Sequence, residues 1–149
     1  MLGCLVGSAA SHPAHAQAGD VAVVVSPKNN VSNLSLADVR RIFAGEKNSW
    51  SGGRPIKILV RGTGTLERNA MLRLLGVSET EFKQHWSAQI YRGEAKEEPI
   101  LLPSNGMQKE ALGVYTDAIA LVDAKDIKGG MKVIKVDGHL PGEAGYPLK

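Results

Sequence analysis

Apolar residues along this chain alternate between unbroken runs and helically spaced stripes. Residues 21–26 read VAVVVS, a β-branched run of the kind found in a strand buried on both faces. In the segment that follows, Leu36, Val39, Ile42 and Phe43 fall on one helical face. Ser35 stands where an N-cap belongs, Asp38 completes a variant of the capping box, and Gly45 stands where a helix of this length stops. Residues 56–60 (IKILV) form the next strand run, and Leu66, Ala70, Met71, Leu74 and Leu75 make the stripe of a second helix closed by Gly76. Residues 78–81 (SETE) are a capping box opening a helix that buries Phe82 and Trp86, one turn apart, and ends by Gly93.

Beyond Gly93 the chain turns from charged to apolar, and residues 94–103 predict a loop with a short extended piece. Ser104 caps a helix running to about Tyr115, residues 118–122 (AIALV) and 131–136 (MKVIKV) are strand runs, and the tail DGHLPGEAGYPLK is turn-rich and irregular. Strands separated by helices imply right-handed βαβ crossovers. The predicted fold class is therefore α/β, a largely parallel sheet with helices on both faces.

Composition narrows the partners. The 149 residues are 43% hydrophobic and 22% charged, a globular balance that fits one domain. A formal charge of +3 is modest, and basic residues interleave with acids, so nucleic acid is not an expected partner. Such a balance permits an anionic ligand without requiring one.

Residues 1–16 differ from the rest. An apolar and small-residue run from Leu2 to Ala10 precedes the small-x-small pattern Ala14-His15-Ala16, and no Asp, Glu, Lys or Arg occurs before Asp20. This predicts a signal peptide cleaved after Ala16, incomplete at its N-terminus because a basic n-region is missing, and a periplasmic or secreted single domain over residues 17–149. The run is shorter than the ~20 apolar residues that cross a bilayer. Cys4, with Leu2-Gly3 before it, matches part of a lipoprotein signal. Cleavage after Ala16 leaves a domain without cysteine, which removes disulfides, thiol catalysis and thiolate metal sites.

Candidate chemistry concentrates after the second predicted strand, at Arg61, Gly62, Thr63, Gly64 and Thr65. In open α/β sheets, ligands bind where strand carboxyl ends meet helix N-termini. Glycines at 62 and 64 let backbone N–H groups approach a ligand, and Thr63 and Thr65 offer hydroxyls. The helix from Leu66 adds unpaired N–H groups and the positive end of its dipole. Arg61, read as solvent-facing, offers a forked cation suited to phosphate or carboxylate. The same five residues also read as strand-to-helix punctuation with Thr65 as N-cap. Glu67 favours that second reading, because a carboxylate in the first helical turn satisfies the dipole and repels an incoming anion. Nucleotide templates fail: the P-loop lysine is missing, and Glu67 replaces the third glycine of G-x-G-x-x-G. His85 and His139 lack metal-ligand companions and Ser26 and Ser104 lack a partnered base, so metal, cofactor and enzymatic activity are not expected. Trp50 reads as a loop anchor over the sheet or as a surface for ligand stacking.

Residues 34–53, LSLADVRRIFAGEKNSWSGG, resemble the hallmark stretch of the periplasmic phosphate-binding proteins of ABC transporters, with the pattern positions at Leu34, Val39, Ile42, Phe43, Gly45, Trp50, Gly52 and Gly53. The family's arginine and Gly-Ser-Gly-Thr phosphate loop resemble Arg61, Gly62, Thr63, Gly64 and Thr65. Its Gly-Ala-Ile-Gly-Tyr-Val strand resembles residues 117–122, with Ala120-Leu121 in place of Gly-Tyr, and its Tyr-Pro-Leu near the second crossover resembles Tyr146-Pro147-Leu148. The resemblance spans residues 21–148 and implies one lobe of a type II periplasmic binding protein, since VAVVVS already resembles the strand crossing into the second lobe. It implies non-enzymatic binding of a small oxyanion, phosphate first, at residues 61–65, as a transporter-associated or sensor-like solute-binding protein of the cell envelope. The implied partners are that oxyanion, an ABC-transporter permease or another envelope protein, and a second copy in a homodimer. The rival expectation is a one-lobe protein–protein interaction module that has lost ligand binding.

Overall fold

Residues 19–149 are described by a computed structural model; the predicted signal segment, its cleavage after Ala16 and Cys4 lie outside the described residues. In chain order the elements are strands β1 (Val21–Val25) and β2 (Asn33–Leu34), helix α1 (Leu36–Phe43), strand β3 (Lys57–Arg61), helices α2 (Leu66–Leu75) and α3 (Glu79–Tyr91), strand β4 (Ile100–Leu102), helix α4 (Asn105–Val114), strand β5 (Ala118–Asp123), a 3-10 turn at Ala124–Asp126, and strands β6 (Lys132–Val133) and β7 (Lys135–Val136).

Every α-helix starts where a hydroxyl can cap it. The side chains of Ser35, Thr65, Ser78 and Ser104 accept the N–H groups of Asp38, Arg68, Glu81 and Met107, each satisfying a donor that the helix cannot. At Ser78 the box is reciprocal, with the Glu81 carboxylate accepting from the Ser78 N–H. After α1, Gly45 takes φ +74, and a Cβ there would lie 2.8 Å from the Trp86 ring. Conformation and space both demand glycine, because the turn out of α1 is pressed against α3.

The main sheet has the order β4-β3-β5-β1-β6. β3 pairs in parallel with β4 and β5, while β1 pairs antiparallel with β5 and β6, so β1 runs against the other four strands of the sheet. The crossover predicted after residues 21–26 is therefore not a parallel βαβ unit. The apolar run reported that β1 is covered on both faces, and direction leaves no such mark. Residues 131–136 divide into β6 and β7 at Ile134, whose N–H bonds the Val23 carbonyl at 3.0 Å. The chain then leaves the sheet, and β7 pairs in parallel with β2.

Two apolar layers cover the sheet. On one face Val21, Val23, Val25, Ile58, Val60, Ile119 and Leu121 pack beneath α1, α2 and α3 through Ile42, Phe43, Met71, Phe82 and Trp86. On the other, Ala22, Val24, Leu59, Ala118, Ala120 and Val122 meet Leu112 of α4 and Met131. The architecture is mixed α/β with a mostly parallel central sheet flanked by helices.

The irregular tail is tied down against the start of β1. Leu148 O accepts the Val21 N–H at 3.0 Å, and the Tyr146 hydroxyl donates to the Val21 carbonyl. Burial, and secondarily the Asp20 charge, push the Tyr146 phenol above its ordinary pKa of 10.0. The buried Asp20 carboxylate accepts the Gly142 N–H at 2.7 Å and the Lys149 ammonium at 3.1 Å. No helix among the described residues is long and apolar enough to cross a membrane.

Candidate functional site

Polar side chains gather at the carboxyl ends of β3, β4 and β5. β3 ends at Arg61, opposite Leu102 of β4, and the chain turns through residues 62–65 into α2. Thr65 shapes that turn with both hydroxyl functions: Oγ1 donates to the Gly62 carbonyl at 2.8 Å and accepts the Arg68 N–H at 3.1 Å. Its proton is thereby already in use. Gly64 adopts φ +88, with no atom within 4 Å of the place a Cβ would take. The N–H groups of Thr63, Gly64 and Leu66 have no partner among the described residues.

Arg61 is not solvent-facing. Its side chain is 13% exposed. Nη1 donates to Asn105 Oδ1 at 2.7 Å and Glu67 Oε1 at 3.3 Å, and Nη2 reaches the Pro103 carbonyl at 3.4 Å. Glu67 is also interior. It is 4% exposed, and its Oε2 accepts the Asp123 N–H at 2.7 Å and Asn105 Nδ2 at 2.9 Å. Asn105 Nδ2 further donates to Asp126 Oδ2 at 3.0 Å, while Gln108 Nε2 donates to Asn105 Oδ1 at 3.0 Å and to the Leu121 carbonyl at 2.9 Å. Glu67, expected to answer the dipole of its own helix, is thus bonded to Arg61, Asn105 and the backbone of β5. Position 67 shares the helical face of Ala70 and Met71, which packs on the sheet, and the donors of Asn105 and β5 make its burial tolerable.

A second pair adjoins the loop. Arg68 Nε and Nη2 each donate to one Glu79 oxygen at 2.8 Å, Nη1 reaches the Arg61 carbonyl at 3.3 Å, and the guanidinium lies 4.7 Å from the Phe82 ring centroid. The Arg68 hydrogen bond holds the Glu79 carboxyl below its ordinary 4.5 against the opposing effect of burial; the charge of Arg68, the Thr63 hydroxyl and Lys83 add to the lowering. Thr63 therefore faces a carboxylate.

Of the five predicted site residues, the structure places Gly62, Thr63 and Gly64 on the open rim, with Arg61 and Thr65 bonded inward behind them. Sequence reading missed Asn105, Gln108 and the Asp123 N–H, since the partners of Glu67 lie 38 and 56 positions away. Trp50 lies elsewhere: its Nε1 donates to the Asp117 carbonyl at 3.0 Å where β5 begins, and it anchors the loop before β3. His85 Nε2 lies 2.6 Å from the Ala44 carbonyl and serves the α1–α3 contact. A cavity of about 10 Å³ between Phe43, Met71, Arg61 and Glu67 is of single-water size, too small for an oxyanion. Among the described residues, no group of three or more His, Cys, Asp or Glu is arranged to hold a metal ion.

No protein-family model and no curated protein matches the sequence. Solved structures match the fold. An ABC-type phosphate transport receptor from Vibrio cholerae aligns with a TM-score of 0.64 at 19% identity, over 82% of this chain and 48% of that one. A protein designated a phosphate ABC transporter substrate-binding protein, from Clostridium perfringens and solved with bound phosphate, aligns at 0.66 and 19%, over 82% and 46%. PstS from Borrelia burgdorferi aligns at 0.61 and 16%, over 82% and 49%. The chain spans about half the length of each, and at such identities the likeness is one of fold.

Proposed function

We propose that this chain binds a small oxyanion, phosphate first, on the rim formed by residues 61–65, without catalysing a reaction. The observation that carries this reading is the set of N–H groups at Thr63, Gly64 and Leu66 that have no partner among the described residues, beside open space at the end of β3 and at the N-terminus of α2. Such groups with the helix dipole behind them favour an anion. Gly62 and Gly64 permit close approach, the Thr63 hydroxyl can turn from Glu79 to the ligand, Thr65 fixes the turn, and Arg61 lies behind the loop, paired with Glu67. The solved structures of similar fold named for phosphate transport support the choice of anion. The expected setting is the cell envelope after export, as a transporter-associated or sensor-like solute-binding protein working with an ABC-transporter permease or another envelope protein.

One observation favours the second reading, an interaction module that has lost its ligand. Arg61 is already paired with Glu67, which leaves less net positive charge at the rim. Calorimetry of the purified protein with phosphate, sulfate and acetate separates the two. Saturable binding of phosphate, weakened by Gly64→Val and by added salt, is the expected result. No heat at millimolar phosphate overturns oxyanion binding and leaves the interaction module.

A further inference from the structure

The Glu67 carboxylate is held as a free oxyanion would be. A guanidinium from β3, a side-chain amide from the first turn of α4 and a backbone N–H at the end of β5 converge on its two oxygens at 3.3, 2.9 and 2.7 Å. Cation, amide and main-chain N–H together form a donor set suited to a small carboxylate or phosphate oxygen pair. The group occupying it comes from the chain itself and is 4% exposed.

We infer that Glu67 is a tethered competitor, filling the oxyanion position of Arg61 so that a free anion gains that arginine only when the Glu67 carboxylate is removed or displaced. Tethering keeps the internal carboxylate at an effective concentration in the millimolar range or above, which a dilute ligand does not match. An anion arriving at the loop amides therefore meets an arginine whose charge is already answered. Removing the carboxylate leaves three donors converging on one vacated position, with a buried cation lacking its partner. Asp126 Oδ2, 3.0 Å from Asn105 Nδ2, adds negative charge nearby and favours a monoanion such as formate over a dianion there. This inference deepens the reading above, resting on it for the phosphate ligand but not for the donor set.

Glu67→Ala tests it, read by thermal melting and calorimetry against sodium formate and sodium phosphate, with sodium chloride at equal ionic strength as control. The expected result is a melting temperature below that of the unaltered protein, rising saturably with formate and not with chloride, and a phosphate affinity at least tenfold above that of the unaltered protein. The double variant Glu67→Ala/Arg61→Met should melt independently of formate. If Glu67→Ala is unfolded without added anion, recovery of its circular dichroism on adding formate is the same positive result. If it stays unfolded in formate, Glu67→Gln decides: a raised phosphate affinity supports the inference and an unchanged one overturns it. A folded Glu67→Ala indifferent to both anions also overturns it, even where the unaltered protein binds phosphate. Formate rescue of Glu67→Ala, beside an unaltered protein that binds no phosphate, sinks the oxyanion-binding reading and leaves the competitor in place.

Discussion

Phe43 and Glu67 line the same small cavity and are 1% and 4% exposed, yet they belong to two regions held by different physics. Phe43 belongs to the layer that α1, α2 and α3 lay on the sheet, where Ile42, Met71, Phe82 and Trp86 fill space without directional bonds. Glu67 belongs to the rim above it, where Arg61, Asn105, Gln108 and the Asp123 N–H satisfy one another at fixed distances. Shape matters in the layer and pairing matters at the rim. An isosteric change should therefore be mild below and costly above, and a change of volume should be costly below.

The largest effect is expected in the layer. Phe43→Ala should lower unfolding stability by about 3–5 kcal/mol, measured by urea denaturation, because it removes a buried ring and leaves a void. A loss under about 1 kcal/mol would break the comparison by showing that α1 does not need its apolar face. Next comes the rim: Glu67→Gln preserves volume but sets an amide N–H₂ against donors and takes the partner from Arg61, for about 2–3 kcal/mol. Met71→Leu, an equally conservative change in the layer, should cost less than about 1.5 kcal/mol. If the two conservative variants lose the same amount, pairing is not what holds the rim.

Smaller effects sharpen the contrast. Thr65→Ala removes the cap of α2 and the bond to the Gly62 carbonyl and should cost about 1 kcal/mol, with amide exchange quickened in the first turn of α2. The smallest effect concerns acid. Glu79 is held below its ordinary 4.5 chiefly by its hydrogen bond to Arg68. Its folded pKa is depressed, so the pair contributes above the unfolded value and the contribution is lost as pH falls through the folded one. Glu79→Gln should flatten that acid limb of the stability profile; an unchanged limb would remove Glu79 from the rim's electrostatics.

Local physics was legible in the sequence. Ser35, Thr65, Ser78 and Ser104 as caps, the apolar stripes at Ile42–Phe43, Ala70–Met71 and Phe82 with Trp86, and β1 as a doubly covered strand all follow from propensity and period, which act over one or two turns. Pairings over distance were not legible. Nothing within residues 21–26 encodes that β1 runs against β5, and nothing around Glu67 announces Asn105. Position 67 did carry a signal, since it shares a face with Ala70 and Met71, but burial of a carboxylate becomes acceptable only once its donors are known. Arg61 was read as solvent-facing and is bonded inward, a difference with the same cause.

The seam between the tail and β1 has a consequence for how the chain could be rewired. Val21 bonds Leu148, and Lys149 reaches Asp20, so residues 20 and 149 stand side by side although 129 positions separate them. Contacts near such a seam do not depend on which way the covalent backbone runs through it. Linking 149 to 19 with a few glycines and serines, and opening the chain at the exposed Gly129–Gly130 turn, would make β6 the first strand while every strand kept its neighbours. The fold is in that sense indifferent to its own starting point, and a circular permutant of this kind should reach the same native state.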